Sequence, residues 1–144
     1  MIAFEISETI QRPVELVFSS LAESDDSQWQ PDVVEERITS TGPFGVGSTG
    51  VNVRRVAGET VETTWTVTAF APPTRFSIKS LSGPVSYELN YQCEPHGDAT
   101  RCTLSFAGEP RGFFQIAEPL LAQTIKNDFA KDLARLKAYL ERQS

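Results

Sequence analysis

The sequence predicts an α+β fold in which a curved antiparallel sheet of about seven strands packs around a long C-terminal helix. Apolar and polar residues alternate with period two in short segments between residues 2 and 106, which is typical of half-buried strands. Short clusters of turn-forming residues separate these segments, and short connections favour antiparallel neighbours. Residues 113–142 instead repeat apolar residues at helical spacing.

The N-terminal segment predicts one strand followed by two short helices. Alternation runs from Ile2 to Gln11 and ends at Arg12-Pro13. Proline is well tolerated in the first turn of a helix, and residues 13–21 then carry apolar side chains at helical spacing. Good N-cap residues begin at Ser24 and the chain reaches proline at position 31, so we expect one further helical turn anchored by Trp29.

Six strands are predicted after these helices. They are expected over residues 33–41, 48–57 and 59–70, around Phe76 and Ile78, and over residues 85–93 and 102–106. The threonines at 64, 66 and 68 mark the side of their strand that faces solvent. Glu36 has the same parity as Val34 and Ile38, so it is an inward-facing acid, a rim residue or part of a bulge, and we expect one of the last two.

The last two strands form the clearest hairpin. A turn centred on Gly97 and Asp98 places Cys93 opposite Cys102, Tyr91 opposite Leu104 and Leu89 opposite Phe106. The two cysteines are too few for a disulfide framework and lack metal-binding spacing, so we expect free thiols. A cross-strand disulfide remains an alternative, which geometry decides.

The C-terminal helix is predicted to span the whole domain, at a length on the order of 40 Å. Its apolar stripe consists of Leu121, Ile125, Phe129, Leu133, Leu136 and Leu140. Charged residues, including Lys126, Asp128 and Lys131, are expected on the other faces.

Composition argues against several classes of function. Thirteen basic and nineteen acidic residues give a formal charge of −6, and the longest basic run is the pair Arg54-Arg55, so nucleic acid is not an expected partner. The sequence shows no signal-peptide pattern and no apolar run long enough for a bilayer, so we expect a cytoplasmic protein without stable membrane insertion, as a monomer or homodimer.

We also find no catalytic or metal-binding motif in the sequence. His96 lies between Pro95 and Gly97, which predicts an exposed hairpin tip rather than a catalytic position. No cluster of His, Cys and carboxylates indicates a metal, and we expect no cofactor. The glycine-rich loop from Gly42 to Gly50 lacks the lysine of a phosphate-binding loop; it is either a plain turn or a gate that carries Phe44 across a cavity mouth.

These residues resemble the polyketide cyclase/dehydrase and lipid-transport family of the START-like (SRPBCC) superfamily over nearly the whole chain. The resemblance rests on six segments in order: Arg12 to Phe18, Trp29-Gln30-Pro31, Gly42 to Ser48, Val67 to Phe76, Asp98 to Leu104, and Asp132 to Lys137. It implies a helix-grip fold with a ligand cavity between the sheet and the C-terminal helix. Members of this family include lipid and sterol carriers and aromatase/cyclases, so the resemblance leaves the activity open.

A cavity also follows from the predicted architecture, because a sheet curling round one helix has a concave side wider than that helix can fill. The candidate lining residues are Val53, Arg55, Thr63, Trp65, Phe76, Tyr87, Tyr91, Leu104, Phe113, Phe114, Leu121 and Ile125. The alternative for each apolar member is that it is an ordinary residue of the hydrophobic core. The hydroxyls of Tyr87 and Tyr91 orient a polar end of the ligand, extend to the rim of the cavity or bond a backbone carbonyl.

Arg55 shares parity with Val51 and Val53. Its guanidinium either enters the cavity, where it suits a carboxylate or enolate, or leaves at the strand end, and the cost of an isolated buried charge favours leaving.

Three functions fit these expectations. The first is noncatalytic binding or carriage of a small hydrophobic ligand such as a lipid, isoprenoid or polyketide. The second is a polyketide cyclase or dehydrase in which Tyr87, Tyr91 or Arg55 polarises a carbonyl. The third is a regulator that binds a protein partner through the outer sheet face.

Overall fold

The computed structural model describes residues 1–22, 33–56, 58–110 and 118–142. Its elements, in chain order, are β1 (Ile2–Ile10), α1 (Val14–Ala22), β2 (Val33–Ile38), β3 (Thr49–Val56), β4 (Glu59–Ala71), β5 (Arg75–Ser82), β6 (Val85–His96), β7 (Ala99–Pro110) and α2 (Glu118–Glu141). The predicted order of strands and helices is confirmed for these elements. The expected second short helix falls in residues 24–30, outside the described residues.

All seven of these strands form one antiparallel sheet in the order β1-β7-β6-β5-β4-β3-β2. Consecutive strands from β2 to β7 are neighbours, as expected for a meander with short connections. The pairing of β1 with β7 brings the N-terminal strand to the far edge of the sheet. The edge strands of the sheet are therefore β1 and β2.

Irregular pairing at three places bends the part of the sheet formed by β2 to β5. Register shifts occur between Val33 and Glu35, between Thr64 and Trp65, and between Val67 and Ala69. A β-bulge adds a residue to one strand and increases its local twist, which makes a sheet curve. The extra residue in β2 is Val34, whose side chain is exposed.

The β6–β7 hairpin has the predicted register. Cys93 pairs with Cys102, Tyr91 with Leu104 and Leu89 with Phe106. Both cysteine side chains are buried and carry free thiols. The neighbouring Cys93 thiol and burial raise the pKa of Cys102 well above its ordinary value, so this thiol stays protonated.

The short helix α1 packs its apolar stripe on the sheet, near β6 and β7. The carbonyl of Pro13 accepts hydrogen bonds from the backbone N–H groups of Leu16 and Val17, which shows that the helix starts at the proline as expected. Its buried side chains are Val17, Phe18 and Leu21.

The long helix α2 is fastened to β1 at both ends. At its beginning, Glu118 accepts a hydrogen bond of 3.0 Å from the amino group of Met1. At its end, Glu141 accepts a hydrogen bond of 2.8 Å from the backbone N–H of Gln11, and Arg12 donates to the carbonyl of Leu140. Of the predicted apolar stripe of α2, Phe129 is half-buried, and the other five side chains are buried. No helix among the described residues combines the length and apolar character needed to cross a bilayer.

Candidate ligand-binding cavity

A cavity of about 150 Å³ lies between the concave face of the sheet and α2. Its wall is formed mainly by side chains of β3 to β6 and by one face of α2, with Leu21 of α1 and Phe44 of the loop before β3 closing one side. Ile38 also lines the cavity and is 46% exposed, which places the β2 edge at its mouth. The cavity exists because the bent sheet is wider than the helix that covers it.

Aromatic rings dominate the wall. Among the described residues, the rings that line the cavity are those of Phe44, Trp65, Phe76, Tyr87, Tyr91, Phe106 and Phe129. All but Trp65 belong to two groups of ring contacts. In one, Phe106 stacks on Tyr87 with centroids 5.5 Å apart and touches Phe129 at 5.8 Å. In the other, Phe76 lies 5.9 Å from Phe44 and stacks on Tyr91 at 6.3 Å.

Trp65 occupies the floor of the cavity over a glycine. It pairs across the sheet with Gly50, and a Cβ atom at Gly50 would lie 2.1 Å from Cζ2 of the indole. Real carbon atoms do not approach so closely, so only glycine at this position lets the indole lie flat on β3. The arrangement also shows that Gly50 faces the concave side of the sheet.

A polar group lies at the β2–β3 end of the cavity. Glu36 accepts a hydrogen bond of 2.5 Å from Nδ2 of Asn52, and both side chains line the cavity together with Arg54 and Asp128. The bulge at Val34 precedes Glu36 and changes the register of β2. Of the alternatives considered for Glu36, the bulge is present and the side chain also faces the cavity.

Arg54 joins the sheet to the helix. Its guanidinium donates a short hydrogen bond to Oδ2 of Asp132 and lies 4.9 Å from the centre of the Phe129 ring. Asp132 is 1% exposed, and its other oxygen accepts a bond of 3.1 Å from Arg135. A buried carboxylate needs such partners, because an isolated charge in the interior is very costly.

The hydroxyl of Tyr87 stands near this polar group. The pKa of Tyr87 is raised to about 12, first by burial and then by the negative charge of Glu36, while Arg54 acts in the opposite direction. The phenol is therefore neutral at physiological pH and can donate a hydrogen bond.

Trp65 carries an unmatched donor. Among the described residues, its indole N–H is the one buried side-chain polar group with no hydrogen-bond partner. A buried donor without a hydrogen-bond acceptor costs roughly 1–3 kcal/mol of stability, so buried donors nearly always have acceptors.

The predicted site residues fall into groups according to where they lie relative to the cavity. Thr63, Trp65, Phe76, Tyr87, Tyr91 and Ile125 line the cavity. Leu104 and Leu121 are buried in the core but do not line it, and Val53 does not line it either. Phe113 and Phe114 lie outside the described residues. A ligand-binding role for each of these residues stays a prediction.

Arg55 is the residue whose position corrects the sequence analysis. It is exposed, and its neighbour Arg54 lines the cavity instead. The apolar residues Val51 and Val53 suggested that odd-numbered positions of β3 face inward, but pairing with β4 aligns Gly50, Asn52 and Arg54 with the inward residues Trp65, Thr63 and Val61. The expectation that the guanidinium of Arg55 leaves the interior agrees with its exposure.

Sequence reasoning also missed Asn52, Asp128 and Phe106 as cavity residues. Asp128 was assigned to the solvent side of α2, yet it lies beside Phe129 and lines the cavity with it. One signal could have revealed the inward face of β3, because a bulky Trp65 needs a glycine opposite it and Gly50 is the glycine inside that strand.

The described residues near the cavity provide no metal or histidine centre. His96 is exposed at the end of β6, at the hairpin tip where it was predicted. Within the ranges that the structure describes, no three His, Cys, Asp or Glu side chains lie close enough together to hold a metal ion.

Comparison with known proteins identifies the family. The family model for polyketide cyclase / dehydrase and lipid transport matches residues 1–141. No curated protein matches the chain. The sheet and the covering helix define a helix-grip fold, with the cavity between them. The chain belongs to the polyketide cyclase/dehydrase and lipid-transport family.

Solved structures share this fold at low sequence identity. The protein TTHA0849 from Thermus thermophilus superposes with a TM-score of 0.84 at 18% identity, covering 99% of both chains. A START superfamily protein from Mycobacterium smegmatis gives 0.84 at 14% identity and covers 100% of both chains. The Zhui aromatase/cyclase from a Streptomyces species gives 0.82 at 18% identity, covering 98% of this chain and 94% of the other.

Proposed function

We propose that this protein binds a small hydrophobic molecule, built on one or two rings, in the cavity between the sheet and α2. The observation that carries the proposal is the cavity of about 150 Å³ and the aromatic rings that line it. Apolar protein cavities of roughly 150 Å³ hold a ring the size of benzene, whereas drug-sized ligands occupy about 300–1,000 Å³. Long lipids are therefore a poorer fit than compact ring compounds.

The chemistry of the wall supports the same ligand class. Offset and edge-to-face ring contacts are favourable beyond simple burial, so a planar guest can pack against Phe76, Tyr91 and Phe106. The polar group around Glu36 and Arg54 occupies only one end of the cavity. A guest with a hydrophobic ring and one polar atom matches this division.

Filling the cavity tests the proposal. The variant Val61→Phe adds a ring to the cavity wall, and we expect it to weaken binding of the one-ring probe acetophenone by about tenfold or more, since the guest and the new ring compete for one volume. Val53→Phe is the matched control, because Val53 lies on the adjacent strand and does not line the cavity. Isothermal titration calorimetry measures both affinities.

Two outcomes contradict the proposal. One is the absence of binding by the unmodified protein for every one-ring probe. The other is equal loss of affinity in Val61→Phe and Val53→Phe, which would place the binding site outside the cavity. Native mass spectrometry of protein purified from its own host would identify the natural guest.

An enzyme remains the second candidate, because donors and an acid lie together at one end of the cavity. Tyr87, neutral and buried, and Arg54 could polarise a carbonyl of a bound polyketide, the role that the sequence analysis gave to Tyr87, Tyr91 or Arg55. Turnover of a linear poly-β-ketone that survives unchanged in Tyr87→Phe would remove Tyr87 from this role.

A further inference from the structure

We propose that the cavity selects a neutral ring compound whose polar atom is a hydrogen-bond acceptor, such as a ketone or ester carbonyl, and rejects the carboxylate of the same shape. This inference rests on the proposed function and names the ligand class within it. Three features of the wall carry it: the pairing of Arg54, the charges beside Tyr87 and the unmatched donor of Trp65.

The first feature is that Arg54, a cationic side chain in the cavity wall, is already paired with an anion. Arg54 points along the wall to Asp132, whose carboxylate is 1% exposed and belongs to α2. A ligand carboxylate would have to share the guanidinium with this buried charge. A second anion there would gain little attraction and would lose its own hydration.

The second feature is the negative charge that faces the cavity. Glu36 and Asp128 both line it. Burial and then the negative charge of Glu36 raise the pKa of the Tyr87 phenol, so Glu36 acts on this end of the cavity. A guest carboxylate beside Glu36 and Asp128 would be repelled by them, so an anionic ligand is disfavoured at the polar end.

The third feature is the donor that lacks an acceptor. Indole can donate a hydrogen bond but cannot accept one, and the N–H of Trp65 has no partner among the described residues. The ring forms part of the cavity wall, so a guest in the cavity lies against the indole. The nitrogen itself is buried, and we expect the indole to turn slightly toward the guest when the bond forms.

Three one-ring probes of similar shape separate these effects. Acetophenone carries a neutral acceptor, benzoate carries an anionic one, and α-methylstyrene carries none. We expect the unmodified protein to bind acetophenone about tenfold more tightly than α-methylstyrene, which is the value of one buried hydrogen bond, and at least about tenfold more tightly than benzoate. Isothermal titration calorimetry at neutral pH gives the three affinities.

Variants assign the preference to residues. Trp65→Phe should bring the affinity for acetophenone down to that for α-methylstyrene. Asp132→Asn should shift the ratio of benzoate to acetophenone affinity at least about tenfold toward benzoate, because Arg54 is then free to pair with the probe. Arg135→Gln is the matched control: it removes the other arginine from Asp132 and leaves Arg54 paired, so the ratio should not change.

The outcomes distinguish the two proposals. If none of the three probes binds, the proposed function fails. If α-methylstyrene or benzoate binds as tightly as acetophenone, the cavity binds guests but the ligand class is wrong. The order of the probes on the unmodified protein decides this even where a variant proves too unstable to measure.

Discussion

At the scale of single residues, the floor of the cavity depends on one close contact. The indole of Trp65 occupies the space where any other residue at position 50 would place its Cβ. Trp65 is 4% exposed and belongs to the core cluster, so it cannot lift off β3 without disturbing the residues packed around it. The inward face of β3 therefore carries no side chain at this point, and a ring from β4 fills the space.

The variant Gly50→Ala tests this contact. We expect the free energy of unfolding to fall by about 1–3 kcal/mol, because the new methyl group must displace the indole within a packed wall. The near-ultraviolet circular dichroism of the folded protein should change as the indole moves. Urea denaturation gives the stability.

Gly45→Ala is the control for this test. The closest atom to a Cβ at Gly45 is Cδ2 of Phe70, at 4.0 Å, which is an ordinary contact. Equal destabilisation by both substitutions would show that loss of glycine flexibility, rather than the clash with Trp65, causes the effect.

The phenol of Tyr87 makes a second prediction at this scale. Its pKa is about 12 in the folded protein against 10.0 in the unfolded chain, so between these values the folded state holds a proton that the unfolded state has released. Stability should therefore be unaffected by this group below about pH 10 and should fall as the pH rises from 10 toward 12.

Replacing the tyrosine isolates this contribution. Tyr87→Phe should have a shallower decline of unfolding free energy between about pH 10 and pH 12 than the unmodified protein, as measured by urea denaturation at several pH values. Parallel declines in the two proteins would assign the pH dependence to other groups.

At the scale of elements, a buried charge pair connects β3 to α2 across the cavity. Arg54 is 12% exposed and Asp132 is 1% exposed, so water screens the pair weakly. The two ends of α2 are fastened beside β1, at the opposite edge of the sheet. The pair thus holds the open side of the sheet at a set distance from the helix.

Breaking the pair from the helix side should be costly. In Asp132→Asn, Arg54 keeps its buried position but loses its counter-ion, and we expect the free energy of unfolding to drop by about 3 kcal/mol. Arg135→Gln should cost less than about 1 kcal/mol, because the Arg135 side chain is 44% exposed and surface pairs contribute little. Thermal or urea unfolding compares them, and similar losses in both variants would contradict a bridging role for Arg54.

At the scale of the whole molecule, the cavity forms because α2 is attached to the sheet mainly at the β1 edge. Hydrogen bonds from Met1, Gln11 and Arg12 hold both ends of α2 beside β1. Toward β2 the sheet bends at its bulges, and a gap opens between its strands and the helix. Aromatic side chains fill part of this widening space and leave the remainder for a guest.

Much of this architecture was predictable because its signals are local. The period-two pattern predicted the strands, and the turn at Gly97 predicted the register of Cys93 with Cys102, since a tight turn determines which residues face each other. The helical spacing after Leu121 predicted the element that covers the sheet. Hence the candidates on β4, β5 and β6, among them Trp65, Phe76 and Tyr87, were placed on the correct face.

The errors lie where the local signal is ambiguous. In β3, the valines at 51 and 53 suggested that odd-numbered residues face the cavity. The residues that face it are Asn52 and Arg54. Polar residues that face a cavity invert the usual relation between hydrophobicity and burial, so periodicity alone selects the wrong side.

The sequence by itself determined the order of strands and helices, the hairpin register and the apolar stripe of α2, because each depends on residues close together in the chain. Only the tertiary structure decided which arginine faces the cavity, that Asp132 neutralises it, and how much space remains among the aromatic rings. These properties depend on the pairing of β3 with β4 and on the distance between sheet and helix, which no short segment of the chain encodes.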